Sequence, residues 1–232
     1  MAGATQLSRN DSAILGALFD PEASLSSIYQ ISKPSESVYG HQTLQRIQTL
    51  ERQALQSINT AHPSRADLQC SITLLDKLTE TYPNYASAYN NRAQARRMLF
   101  DANDLQNHPE ALNLILTDLA SAIHVASAKH DNDAVSSDDA KVLAAAYTHR
   151  AFLLYKVSRL ESLSTVLSRV EGMSGLNGEQ LEEFASRDFA AGGRYGNKIA
   201  KQLAVKTNPY AKLCGNIVKE AMRRELAAYG SR

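Results

Sequence analysis

Tyr82-Pro-Asn-Tyr-Ala-Ser-Ala-Tyr-Asn-Asn-Arg-Ala-Gln-Ala-Arg-Arg-Met98 is the stretch that decides the fold. Pro83 closes one helical pattern, and a second opens directly behind it. In that second pattern Ala86, Ala88, Ala93 and Ala95 surround Tyr89 and Arg92, a spacing of small residues that lets two helices pack closely. The pattern Ala-x-x-Tyr-x-x-Arg-Ala runs from Ala86 to Ala93 and returns from Ala144 to Ala151. Such a recurrence predicts stacked units, each too small to bury its apolar face alone.

Upstream of this joint, Leu44, Ile47, Leu50, Leu55 and Ile58 predict an amphipathic helix ending near His62-Pro63. Its partner carries Leu68, Ile72, Leu75 and Leu78 on one face, with a cap between Ser64 and Asp67. Further back, Asn10 or Asp11 caps a short helix with Ile14, Leu15, Leu18 and Phe19 on its apolar face, stopped at Asp20-Pro21. We expect it to cover an exposed end of the core; filling the groove is the other role open to it. Residues 22–41 read as a linker with one helical turn at Leu25 to Tyr29.

Downstream, Ala86 to Phe100 is expected to pair with a helix from Pro109 through Leu112, Leu116, Leu119 and Ile123, across a polar insert from Asp101 to His108. A more acidic insert, Lys129 to Asp139, precedes a helix over Ala140 to Val157. Leu160, Leu163, Val166, Leu167 and Val170 predict an extra helix, which breaks at Gly172, Gly175 and Gly178. Then come Glu179 to Ala191, Arg194 to Val205 and Pro209 to Tyr229, with Gly192-Gly193-Arg194-Tyr195-Gly196 as the turn between the first two. No sustained period-two run marks a strand, so the class is all-α.

A chain of 232 residues, 44% hydrophobic, can bury one substantial core or support a short array. Its net charge of +1 is unevenly spread. Asp101, Asp104, Glu110, Asp118, Asp131, Asp133, Asp138 and Asp139 crowd the middle, whereas nine bases oppose two acids from Ala190 onward, which suggests an electrostatic partner or internal pairing. Cys70 and Cys214 are read as buried thiols rather than a disulfide framework. The polar leader Met1 to Arg9 does not resemble a signal peptide, and no run reaches the roughly 20 apolar residues of a membrane span, so cytoplasm or nucleus is expected.

The helix-pair unit resembles the tetratricopeptide repeat (TPR). With Pro83 as a closing position, Tyr89 and Ala93 take the large and small sites of the second unit's first helix, and Ile115, Leu119 and Ala122 those of its second. Tyr147 with Ala151, then Ala185 with Phe189, match in the third unit, while the first is degenerate, with Leu55, Asn59, Ser71 and Leu75. Asn10-Asp-Ser-Ala-Ile-Leu-Gly-Ala-Leu-Phe-Asp-Pro21, the joint, and Asn208-Pro-Tyr-Ala-Lys-Leu-Cys214 together resemble the tetratricopeptide repeat protein 36 family. That resemblance implies an intracellular protein-interaction module and no reaction, arranged as a right-handed α-solenoid of three units. Those units fall at about 44–83, 84–127 and 140–193 within a domain 43–232, after an N-terminal segment 1–42 and before capping helices from 194. The inserts at about 101–110, 128–139 and 158–180 depart from the shorter animal members.

An inward face built from the first helix of each unit would show Asn90, Asn91, Gln94, Arg97 and Met98, with Thr148, His149, Phe152 and Lys156. Asn91 falls where chaperone-binding repeats place a ligand-holding Asn, but Gln56, Thr60, Ala145 and His149 do not supply the cations of that clamp. Arg92 recurs as Arg150 and is expected to serve packing, leaving Arg96 and Arg97 as contact candidates. Arg194, Lys198 and Lys201, at i, i+4 and i+7, predict a basic stripe on one helix. No His or Cys spacing suits a metal, and no nucleophile elbow occurs, so neither catalytic residue, metal nor cofactor is assigned. The sequence therefore predicts a monomeric, non-enzymatic adaptor or scaffold, co-chaperone-like, binding a peptide or helix of another protein, a chaperone-associated one included. It predicts no nucleic-acid or membrane partner. The alternatives are an accessory or regulatory subunit of an enzyme complex and an enzyme of unrecognised type.

Overall fold

The computed structural model describes residues 31–32, 38–100, 104, 107–127, 135–208 and 217–225. Helix α1 (His41–Gln56) buries Ile47 and Ala54. Just before it, Tyr39 meets the Tyr82 ring edge-on at 5.5 Å and accepts a hydrogen bond from the Asn84 backbone N–H at 3.0 Å, tying the start of α1 to the turn that contains Pro83. Helix α2 (Arg65–Thr81) opens with a capping box: the Ser64 hydroxyl accepts from the Asp67 N–H while the Asp67 carboxylate accepts from the Ser64 N–H. Its expected face of Leu68, Ile72, Leu75 and Leu78 is buried.

Helix α3 (Ala86–Met98) lies between two cores. Ala88 and Ala95 join the first, with Ile47, Ala54 and the α2 leucines; Ala86 and Ala93 join the second. Within each pair the spacing is seven residues, two helical turns, so one short helix turns a small face to each side. The second core continues through α4 (Pro109–Ala126), which takes Pro at its first position, where no backbone donor is lost. It then passes through α5 (Ser137–Val157), α6 (Leu163–Leu167) and α7 (Gly178–Arg194). A third, small cluster of Ala151, Phe189 and Ala200 seats α8 (Lys198–Thr207), and residues 217–225 are again helical. Helices α1 to α4 each pack on the next in chain order, α5 packs on α7, α7 on α8, and α3 also meets α5. The class is all-α with TPR-type helical packing.

The structure departs from the expected pattern at several points. A two-residue parallel pair joins β1 (Ile31–Ser32) to β2 (Val135–Ser136), so part of the expected linker is anchored beside the start of α5. The expected covering helix and the turn at Leu25 to Tyr29 lie outside the described residues, as do most of the acidic insert and Cys214. Helix α1 ends at Gln56, so Asn59 falls beyond it and cannot be the small site of a first-unit helix. Gly192 and Gly193 are inside α7, and the turn is Tyr195 to Asn197, where Gly196 takes φ +102°. Cys70 is exposed on α2, because its side chain stands away from the Leu68 and Ile72 face. Among the described residues no helix is long and apolar enough to cross a membrane.

Candidate functional site

The recurring Tyr-x-x-Arg pattern places a guanidinium between packed helices in both α3 and α5. Arg92 spans from Asp118 on α4, at 2.6 to 3.1 Å, to Asp76 at 2.9 Å and the Thr79 hydroxyl at 2.6 Å on α2. Burial opposes its charge, but hydrogen bonds and attraction from Asp118 and Asp76 outweigh that and raise its pKa. Arg150 makes a two-pronged pair with Asp188 on α7, at 2.7 and 2.8 Å. Each arginine also stands 5.5 Å from the ring of the tyrosine three residues before it, Tyr89 or Tyr147. Arg92 and Arg150 thus serve packing, as their repetition implied. Arg96 does not fit the contact role expected of it: it donates to the same Asp118 at 2.6 Å and to Asp76 at 3.2 Å.

The acids of this network were not singled out from the sequence, although a signal was present. Asp118-Leu-Ala and Asp188-Phe-Ala each place an Asp immediately before the large residue of a second helix, Leu119 or Phe189. An Arg repeated on the first helix and an Asp repeated on the second make a matched pair.

The remaining residues expected on the inward face divide. The Asn91 amide donates to Glu51 on α1 at 2.8 Å, and the Tyr85 hydroxyl donates to the other oxygen of the same carboxylate at 2.6 Å. Burial, then that hydrogen bond and the Glu51 charge, hold the Tyr85 pKa well above its ordinary value. Met98 is half-buried against the first core. The Thr148 hydroxyl donates to the Ala144 carbonyl, and a Cβ on Gly192 would lie 2.6 Å from it, so Thr148 sits against α7. Asn90 is half-buried and Gln94 exposed on α3.

His149, Phe152 and Lys156 share one stripe of α5 at i, i+3 and i+7. Phe152 is 41% exposed, and the Lys156 ammonium stands 5.4 Å from its ring centre. The His149 Nε2 is buried without a hydrogen-bond partner. Burial, then the charge of Arg97 on α3, brings the ring's pKa down to about 4. Arg97 makes no ion pair among the described residues, unlike Arg92, Arg96 and Arg150. Arg194 ends α7 while Lys198 and Lys201 lie on α8, so the three basic residues do not share a helix. Among the described residues no three His, Cys, Asp or Glu side chains stand together as a metal site.

His149 gives the fold a pH dependence of definite sign. Between its ordinary value of 6.5 and about 4, the unfolded chain binds a proton that the folded ring refuses, so stability falls as pH drops through this window. We expect a loss on the order of 2–3 kcal/mol from this group. Urea melts of wild type and His149→Gln at pH 7 and pH 4.5 measure it: the wild type should lose more stability than the variant, and equal losses would remove His149 as the source.

No family model matches the chain, and no solved structure matches it significantly. It is 40% identical to the L-tyrosine degradation gene cluster protein hmgX of Aspergillus fumigatus, over 95% of this chain and 93% of that one. It is 25% identical to tetratricopeptide repeat protein 36 of Danio rerio, over 94% of both chains, and 23% identical to that of Homo sapiens, over 92% and 93%. These names state no catalytic activity. With the repeated Tyr-x-x-Arg helices and their acidic partners in place, and similarity running nearly end to end, the chain belongs to the family of hmgX and tetratricopeptide repeat protein 36.

Proposed function

We propose that this protein is a non-enzymatic adaptor that holds a peptide or helix of a partner protein against α3 and α5, and that it serves L-tyrosine breakdown in the cytoplasm or nucleus. The observation that carries the reading is the contrast across one helix pair. Arg92, Arg96 and Arg150 are tied to Asp118, Asp76 and Asp188, whereas among the described residues the face with Arg97, His149 and Phe152 offers a cation without an ion pair, a buried ring nitrogen without a hydrogen-bond partner and an open aromatic. Aromatic and Arg side chains are enriched at protein interfaces. Asn90, Gln94, Arg97, His149, Phe152 and Lys156 form the proposed contact face, with Met98 and Thr148 behind it. The basic residues Arg194, Lys198 and Lys201 are not part of it.

The process is proposed from the fungal relative, which is named as a protein of an L-tyrosine degradation gene cluster. The partner is then an enzyme of that route, and the adaptor its accessory subunit. A chaperone partner fits less well, because Asn91 is engaged by Glu51. Affinity capture from cells fed L-tyrosine should enrich an enzyme of that route with the wild type and recover it at least fivefold less with the double variant Arg97→Glu and Phe152→Ala. Undiminished capture by a folded double variant would remove the groove assignment, and turnover of a tyrosine-derived intermediate by the purified protein alone would favour the enzymatic alternative.

A further inference from the structure

Resting on the adaptor reading, we infer that the partner segment is acidic and places a carboxylate between Arg97 and Lys156, beside the His149 ring, with an apolar side chain of the same segment against Phe152. The positions follow from the repeat. Tyr89 and Tyr147 are equivalent, which sets Arg97 level with Tyr155 and Lys156 level with Met98 on two helices that pack together. The register therefore puts the two cations one residue apart in height on two helices that pack together, and the Arg97 charge acts on the His149 ring.

Charge selects the occupant. Every other arginine on α3 and α5 is met by a carboxylate, Asp118, Asp76 or Asp188, on a neighbouring helix. Among the described residues no acid forms an ion pair with Arg97 or Lys156, and Glu51 on the first unit is already shared by Asn91 and Tyr85. An incoming carboxylate would pair Arg97 in the bidentate geometry that Arg150 makes internally. It would also give the His149 ring nitrogen a polar neighbour. A basic segment would meet two cations, and a wholly apolar one would leave both unpaired in a dry contact.

The test uses the full-length protein and three labelled twelve-residue peptides of alternating sequence: Glu with Leu, Gln with Leu, and Lys with Leu. The Glu peptide should bind about tenfold more tightly than the Gln peptide in low salt, the Lys peptide not at all, and the preference should shrink as salt screens the charges. Arg97→Gln and Lys156→Gln should each remove most of the Glu preference while leaving the melting temperature unchanged, and the His149 ring resonances should shift on titration with the Glu peptide. Equal binding of the Glu and Gln peptides, or a Glu preference that survives both variants, overturns the inference. If it fails while Arg97→Glu with Phe152→Ala still releases the captured enzyme, the groove reading stands and only the acidic character of the partner falls. If capture is also unaffected, both fall.

Discussion

Asp118→Ala should lower the folded protein's stability by about 3–5 kcal/mol, because it strands two guanidinium groups in a closed site. The Asp118 side chain is 2% exposed, and those of Arg92 and Arg96 are 14% and 17% exposed. The only carboxylate left to both arginines would be Asp76, which is 38% exposed and approaches them at 2.9 and 3.2 Å, with the Thr79 hydroxyl still accepting from Arg92. The cost comes from burying charge without its partner rather than from the worth of the pair, and that distinction is testable. Replacing the trio together, Asp118→Leu with Arg92→Met and Arg96→Met, removes the charges along with the need to pair them and should recover most of the loss. A control is the surface pair Lys141 and Asp138, 77% and 76% exposed, where Asp138→Ala should cost well under 1 kcal/mol. Urea unfolding followed by circular dichroism measures all three. A loss below about 1 kcal/mol for Asp118→Ala would mean that Asp118 is not the centre of the network.

The ion network and the helices that carry it were unequally legible in the sequence. Helix α2 could be read almost residue by residue, because its capping box, its four-residue apolar face and its stop before Pro83 are all local signals. The joint was equally legible: all four alanines singled out in α3 are buried. What resisted was pairing at a distance. Arg92 and Asp118 are 26 residues apart and Arg150 and Asp188 are 38 apart, so an acidic middle looked like a surface feature awaiting the basic end, whereas Asp118 is consumed by α3. The β1–β2 pair was invisible for the same reason, since two residues carry no periodicity and their partners lie a hundred positions away.

Glycine misled in a different way. Gly192-Gly193 reads as a break, because Gly in a helix interior costs about 0.5–1 kcal/mol relative to Ala, yet both residues are helical. The stripe proposed for the partner was legible only in part. Helical spacing puts His149, Phe152 and Lys156 on one stripe, but spacing alone cannot show that Thr148, one residue earlier, sits against α7.

Gly193→Val should detach α8, at a cost of about 3 kcal/mol. A Cβ at Gly193 would meet the Lys201 Cα at 2.9 Å and its backbone N at 3.0 Å, and backbone in a helix cannot rotate aside as a long side chain can. The glycine's own cost in α7 is therefore offset by letting two helix backbones approach, which closes the small cluster of Ala151, Phe189 and Ala200 and brings the Ser186 hydroxyl to the Ala204 carbonyl at 3.2 Å. Gly196→Ala isolates the other glycine effect, since nothing lies within 4 Å of its would-be Cβ and only the strain of φ +102° remains, on the order of 1 kcal/mol. Hydrogen exchange separates the two: Gly193→Val should strip protection from α8 while leaving α1 to α4 as protected as in the wild type, because each unit of such an array depends chiefly on its neighbours. Gly196→Ala should lower protection only modestly. Unchanged protection of α8 in Gly193→Val would show that the two backbones tolerate separation, and the doublet would then have no packing role to account for its place inside a helix.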